Sequence, residues 1–443
     1  MSYENLRKVI SDRNLLSWRT AILIGLLVRL LLCFWTGNPS DFEIFIRTGY
    51  HVAHGASPTQ QKVFYVEGLG QPTYPYVSGL GYPSPWGLYL ALVYKTYQLL
   101  PISPYFYYFL IKLLPITGDL IAAYIIYRLA LEYTNNIERA RKFSLVFFLC
   151  PFVIFISSVW GMFDSIPILF TLIAILLLIY EKPYWSAFSL GVGILFKVIP
   201  VIYLPVPLLF LRKKRGVRDA VLYLLIAVVV PFILALIPII FYGWEISEAT
   251  VTVFSQTQRR GGSLTYWNIA ALLKNLFPNI FSVEALNSLF SFPPIRYLWI
   301  LGLIAAYLLY EERQTEIHSD ARVDSLRALL EGFSFATIGF LLTRPFVPEQ
   351  FVLYLLPFLI ILSASNLPKK YYRLTWGFAL VFALVNFYPF AFAYLMDIEF
   401  WNIFNYLINT SPFSTVRYVM QFAVAIVFDW FLVKLLFKMR KKT

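Results

Sequence analysis

Apolar runs recur from residue 20 to residue 437 with short polar breaks between them. The longer ones reach about 17–25 residues, enough to cross a bilayer as a helix. The pattern predicts helices over 20–36, 106–131, 144–160, 163–181, 184–197, 199–212, 219–242, 296–310, 326–344, 351–366, 371–394 and 415–437. One more apolar stretch, 85–100, opens Pro85-Trp86 and carries Tyr89, Tyr94, Lys95 and Tyr97. Aromatic residues with a lysine suit a helix lying at the membrane interface. No hydrophilic stretch is long enough for a soluble domain, so residues 1–443 read as one all-α, polytopic membrane domain.

The basic segments 7–19, 139–142, 212–218, 369–373 and 434–442 flank these runs and belong in the cytoplasm. An even number of crossings must then separate each from the next. Three stretches lie between Arg19 and Arg139 and parity admits two, which leaves 85–100 flat on the outer surface after a long external loop. The stretch 184–212 holds Lys197 and Pro200 near its middle. A single helix there breaks parity and puts a lysine at mid-membrane, at about 2.5–3.5 kcal/mol on insertion scales. Two short arms turning near Lys197 satisfy both constraints, and Pro200 suits the break because proline removes a backbone donor and disfavours helix before it. The expectation is twelve crossings or half-crossings, both termini cytoplasmic, and Lys197 facing outward. No internal repeat is visible, which counts against the commonest transporter architectures. The N-terminus is polar to Arg19 and no small-residue cleavage site follows the first run, so an uncleaved first helix is expected.

Composition agrees: 59% of the residues are hydrophobic and 14% charged, too little charge to cover a soluble core of this size. The net charge of +13 sits in short clusters beside apolar runs, as at Arg212-Lys213-Lys214-Arg215. That placement fits cytoplasmic loops and anionic headgroups and argues against a nucleic-acid partner. Two cysteines, Cys33 and Cys150, both fall inside apolar runs and read as reduced thiols.

With that topology, separated acids and bases collect outside. The first external loop, about 37–105, opens Asn38-Pro39-Ser40-Asp41-Phe42-Glu43, and holds Gly81-Tyr82-Pro83-Ser84-Pro85-Trp86 further on. The other external features are Trp160-Gly161-Met162-Phe163-Asp164, Lys197, Arg259-Arg260 in the loop 243–295, and Arg344 to Glu349-Gln350. Bases of this kind neutralise a phosphate, and a carboxylate takes a proton from an attacking hydroxyl. Each residue also has a plainer reading. Ser40 or Asp41 suits the cap of a short helix starting near Phe42; Glu43 is an alternative base or a supporting group. Asp164 suits a structural ion pair as well as substrate; Lys197 suits snorkelling, and the arginines suit headgroup binding. Arg29 should face the bundle interior or a wet cavity. His51 and His54 alone do not make a metal site, and no metal or other cofactor is expected. Asn409-Thr410-Ser411 is a formal glycosylation sequon on an external loop.

These residues resemble the GT-C superfamily of polyprenyl- or dolichyl-phosphate-sugar-dependent glycosyltransferases. Ser40-Asp41-Phe42-Glu43 is similar to the acidic motif that follows the first helix in that family, and Tyr82-Pro83-Ser84-Pro85 to its segment leading into a juxtamembrane helix. Gly161-Met162-Phe163-Asp164, Lys197-Val198-Ile199-Pro200 and Glu349-Gln350-Phe351 resemble later motifs in the same order. The likeness covers roughly residues 1–215, a catalytic module, and is loose over 216–443. It implies a bundle of about 12 transmembrane helices with a juxtamembrane helix in the first external loop. It further implies an external active site in a prokaryotic plasma membrane or the ER membrane. The implied reaction is inverting transfer of a hexose, mannose favoured, from a lipid-phosphate sugar to a lipid-linked or glycolipid acceptor. Asp41 is the implied catalytic base, with Glu43, Asp164, Lys197, Arg259, Arg260, Arg344, Glu349, Gln350, Tyr82 and Trp86 around the substrates. The alternatives are a lipid-linked-saccharide transporter, and a ligase or polymerase using a pyrophosphate lipid.

Overall fold

The computed structural model describes residues 3–58, 80–244, 262–282, 285–286, 288–289, 292–315, 322–365, 367–386, 403, 406 and 409–440. They are helical apart from turns and one short strand pair. Among the described residues, four helices are long and apolar enough to cross a membrane: Pro104–Thr134, Val217–Tyr242, Arg322–Thr343 and Phe413–Arg440. A fifth span is the pair Ile137–Phe148 and Pro151–Trp160, bent by 44°. Ser165–Ile179, Pro183–Phe196 and Glu349–Leu362 are shorter apolar helices. The chain is therefore membrane-embedded, and each stretch expected to cross contains helix.

Helices α1 (Tyr3–Cys33) and α2 (Pro39–Ala53) lead into α3 (Ser84–Leu99), the helix expected over 85–100, and α4 (Pro104–Thr134). The ends of α4 follow from local chemistry. Ser103 caps it by accepting the Phe106 N–H at 3.3 Å, and Asn135 stops it in the left-handed region. Asn136 then caps α5 (Ile137–Phe148). Pro151 cannot continue α5's hydrogen bonding and instead opens α6 (Pro151–Ile154), which runs into a π-helical turn, Phe155–Trp160.

Next come α7 (Ser165–Ile179) and α8 (Pro183–Phe196), a 3₁₀ turn Ile199–Tyr203, α9 (Pro205–Arg215) and α10 (Val217–Tyr242). The break expected inside 184–212 is thus present, with Lys197 extended between its two arms. After β1 (Gly262–Ser263) come α11 (Ile269–Leu276), α12 (Pro293–Arg296), α13 (Leu298–Thr315) and α14 (Arg322–Thr343). β2 (Phe346–Val347), a 3₁₀ turn Glu349–Tyr354, α15 (Leu356–Leu362), α16 (Lys370–Val385) and α17 (Phe413–Arg440) follow among the described residues. The strands are parallel, Gly262 opposite Phe346 and Ser263 opposite Val347. α13 and α14 cross at Gly302 and Gly339, where a Cβ on Gly339 would stand 2.5 Å from the Gly302 carbonyl.

The core holds several buried charges, some of them paired with one another. Arg29 is fully buried, donating to Asp119 at 3.0 Å and to the Phe148 carbonyl at 2.6 Å, while Ser157 donates to the same Asp119 oxygen at 2.6 Å. Arg29 therefore faces the interior, as expected, and ties α1 to α4 and to the end of α5. Both cysteines are buried and unbridged.

Candidate functional site

The segment joining α1 to α2 carries Asp41 to one end of the bundle. Lys112 of α4, fully buried, donates to the carbonyls of Cys33 and Thr36 and to the Thr36 hydroxyl. A cation against the last carbonyls of a helix satisfies groups that the helix itself cannot. Asn38 follows. Its carbonyl accepts the Phe42 N–H at 2.8 Å and its side chain accepts the Asp41 N–H at 3.0 Å. Asn38 is therefore the cap of α2, in place of the expected Ser40 or Asp41. The physical reason is Pro39, which has no N–H and a helical φ, and so occupies the first helical position.

Asp41 then sits in the first turn with its side chain released from capping. Its Oδ2 accepts the Trp160 indole N–H at 2.7 Å, and the Trp160 carbonyl accepts the Asn38 N–H at 3.2 Å. One residue at the end of the π-helical turn thus holds both the backbone and the carboxylate of this segment. Glu43 lies two positions on, about 200° around the helix, and is buried against Arg47 at 3.4 Å. The structure separates the two acids that the sequence left as alternatives.

Gly161 follows Trp160 with φ +86°, and a Cβ there would stand 2.4 Å from the Phe42 ring. Only glycine fits that approach, and it lets the turn deliver Asp164 inward. Asp164 is fully buried and pairs with Lys197 at 2.7 Å, so its ion-pair reading describes this state. The Tyr354 phenol lies against the same carboxylate. The Lys197 ammonium also stands 5.1 Å from the Tyr82 ring, 5.5 Å from Phe163 and 5.6 Å from Phe351. Such a cage of aromatic faces holds a cation that water does not reach.

Arg344 leaves the end of α14 with its guanidinium 5.0 Å from the Phe351 ring, the ring that also faces Lys197. Glu349 and Gln350 are buried at the head of the following 3₁₀ turn. The Glu349 carboxyl is pushed up from 4.5 to about 7, first by burial and then by the charge of Asp41 beside it. The strand pair lashes this turn to a second segment, where Leu264 N–H donates to the Val347 carbonyl at 2.9 Å and Tyr266 N–H to Asp429 at 2.6 Å. Arg259 and Arg260 lie outside the described residues.

The two expected aromatic residues part company. Tyr82 is partly exposed and meets Phe163 edge-on at 5.0 Å. Trp86 is fully buried, stacked beneath Phe163 at 4.2 Å. It therefore supports the wall from behind instead of offering a face. Asp41, Asp164, Lys197, Arg344, Glu349, Gln350 and Tyr82 gather at one end of the bundle, joined through Trp160, Phe163, Phe351 and Tyr354; the first three fall inside motifs read from the sequence, but none of the four was given a role there. Their signal lay in position alone: each stands within four residues of a polar residue that was given one. Among the described residues no group of three His, Cys, Asp or Glu side chains is arranged to hold a metal ion. His54 instead contacts the Tyr50 carbonyl at 2.8 Å.

Burial of Glu349 gives a pH-dependent stability with a definite sign. The folded state holds the Glu349 proton more tightly than the unfolded chain, so stability falls as pH rises from 4.5 through about 7, then levels off. The expected loss is on the order of 3 kcal/mol. Thermal unfolding between about pH 5 and 8 should show it, and Glu349→Gln should flatten the slope. A slope unchanged by Glu349→Gln would assign it to another group. No protein-family model matches the chain, and no curated protein does.

Proposed function

We propose that this chain is a membrane glycosyltransferase of GT-C type that moves a hexose, mannose favoured, from a polyprenyl- or dolichyl-phosphate carrier to a lipid-linked or glycolipid acceptor. The observation that carries the reading is the convergence of Asp41 on Trp160, of Lys197 on Asp164, and of Arg344 with Lys197 around Phe351. Residues from four separate parts of the chain meet there, and they include the acid and bases that transfer from a lipid phosphate requires.

In this reading the bundle has twelve crossings or half-crossings, both termini are cytoplasmic, and the site faces the outside of a prokaryotic plasma membrane or the lumen of the ER. The donor phosphate lies against Arg344 and Lys197, with Arg259 and Arg260 supplying further charge. Lys197 already has Asp164 as a counter-ion, so it orients as much as it neutralises. Asp41 takes the proton of the acceptor hydroxyl as that oxygen bonds to the anomeric carbon. The bond from that carbon to the phosphate oxygen breaks, and the lipid phosphate leaves with the electron pair. One displacement inverts the anomeric centre. Glu349, protonated in part near neutrality, avoids setting a second full negative charge beside Asp41.

A lipid-linked-saccharide transporter would need polar residues within its helices, as Arg29 and Asp119 are; their mutual ion pair gives both a structural occupation. The deciding experiment uses purified protein in lipid, radiolabelled polyprenyl-phosphate mannose and glucose, and a membrane-lipid extract as acceptor. Label reaching a lipid product, and lost in Asp41→Asn, supports the proposal. Transfer from neither donor, with Asp41→Asn folded and indistinguishable, overturns it in favour of transport or of a pyrophosphate donor.

A further inference from the structure

Far from Asp41, the bend between α5 and α6 opens a cavity of about 750 Å³. α1, α5 and α16 wall it, and their charges sit at one mouth. Arg141 and Lys142 of α5 and Arg373 of α16 line it there, against one acid, Glu138. Among the described residues these three bases form no ion pair or side-chain hydrogen bond. Trp18 and Trp376 stand in the same wall, and the Trp18 indole nitrogen is buried without a partner. Below the mouth the lining turns apolar, through Leu145 and Leu149 to Pro151. From Glu138 to Leu149 the helix descends about 17 Å, close to half the roughly 30 Å of a bilayer's hydrocarbon.

We infer that this groove is a specific site for one anionic phospholipid of the leaflet at the α5 N-terminus, its phosphate held by Arg141, Lys142 and Arg373 and one acyl chain lying along Leu145 and Leu149 to the Pro151 break. Three kinds of chemistry coincide. Unpaired bases at a helix end attract an anionic headgroup, flanking tryptophans sit where the headgroup meets hydrocarbon, and the apolar depth matches a single leaflet. The volume lies within the range of about 300–1,000 Å³ common to ligand cavities. A soluble anion would use the mouth and leave the apolar half empty. This inference needs the membrane reading alone, so it stands or falls apart from the transfer reaction.

Native mass spectrometry of the full chain tests it, with phosphatidylglycerol and phosphatidylcholine supplied separately. One phosphatidylglycerol should be retained and phosphatidylcholine lost. The variant Arg141→Ala/Lys142→Ala/Arg373→Ala should lower retention about tenfold. Leu149→Trp keeps all three charges and fills the apolar half, and should lower it comparably. Equal retention of the two lipids, or full retention in Leu149→Trp, overturns the proposal in favour of surface attraction. Displacement by glycerol 3-phosphate overturns it in favour of a soluble anion. If the charge variant fails to fold, phosphatidylglycerol with brominated chains decides the matter in wild type. Quenching should shrink in Trp18→Phe and Trp376→Phe, and quenching unaltered in both removes the groove as the site.

Discussion

Asp41→Asn is expected to lower the transfer rate by roughly 10²–10⁴-fold, the range that a positioned general base supplies. Asparagine keeps the shape of the side chain and an oxygen able to accept the Trp160 indole N–H at the position of Oδ2. The α2 cap also survives, because it uses the Asn38 side chain and the Asp41 backbone. Folding should therefore be spared while the proton acceptor is removed. Trp160→Phe tests the same assembly from its other end, by leaving the carboxylate and removing its donor. Hydrogen bonds to charged groups contribute about 1.5–3 kcal/mol, so a loss of about tenfold or more is expected there. Glu43→Gln should stay within a few-fold of wild type, since Glu43 faces Arg47. Single-turnover transfer on the three variants reads all of this. A folded Asp41→Asn enzyme within tenfold of wild type removes Asp41 from the role of base.

The second large effect concerns stability. Asp164 and Lys197 are both buried and stand 2.7 Å apart. Removing one partner strands a charge in a dry site, and losses of about 3–5 kcal/mol are typical of such pairs. Asp164→Ala and Lys197→Ala should each show a loss of that size in thermal unfolding. The double variant Asp164→Leu/Lys197→Met should recover much of it, because no charge is left to solvate. Stability recovered with transfer still absent would separate the ion pair's structural part from its part in binding the donor. Additive losses in the double variant would show that the two side chains do not act as a pair.

How far the sequence could be read depended on distance along the chain. The break at Lys197 was visible because Pro200 and a lysine in an apolar run are local signals, and α8 does end at Phe196. The helix over 85–100 was visible for the same kind of reason. The cap of α2 was assigned to Ser40 or Asp41 although the signal for Asn38 was present: an asparagine directly before a proline marks a cap and a first helical position. Nothing local, in contrast, couples Asp41 to Trp160 across 119 residues, or brings Glu349 within reach of the charge of Asp41. Those proximities arise from how α2, the π-helical turn and the 3₁₀ turn after β2 pack. Lys112 was passed over because a single lysine inside a long apolar helix gives no hint that its target is the end of α1. Trp86 misled for a related reason, since a tryptophan opening an interfacial helix beside prolines looks exposed until Phe163 is found stacked upon it.

The pairing of Arg29 with Asp119 has a consequence for how the chain is made. An arginine within a lone helix is disfavoured in hydrocarbon by about 2.5–3.5 kcal/mol on insertion scales, and its counter-ion is translated 90 residues later. During synthesis α1 emerges before α4, with its guanidinium unmatched. Its lateral release into lipid is therefore more favourable beside α4, so the two should tend to leave the insertion machinery together. The order of biogenesis is written into that one contact. In a chain that lost Asp119 the guanidinium would stay unmatched throughout assembly, before any question of catalysis arose.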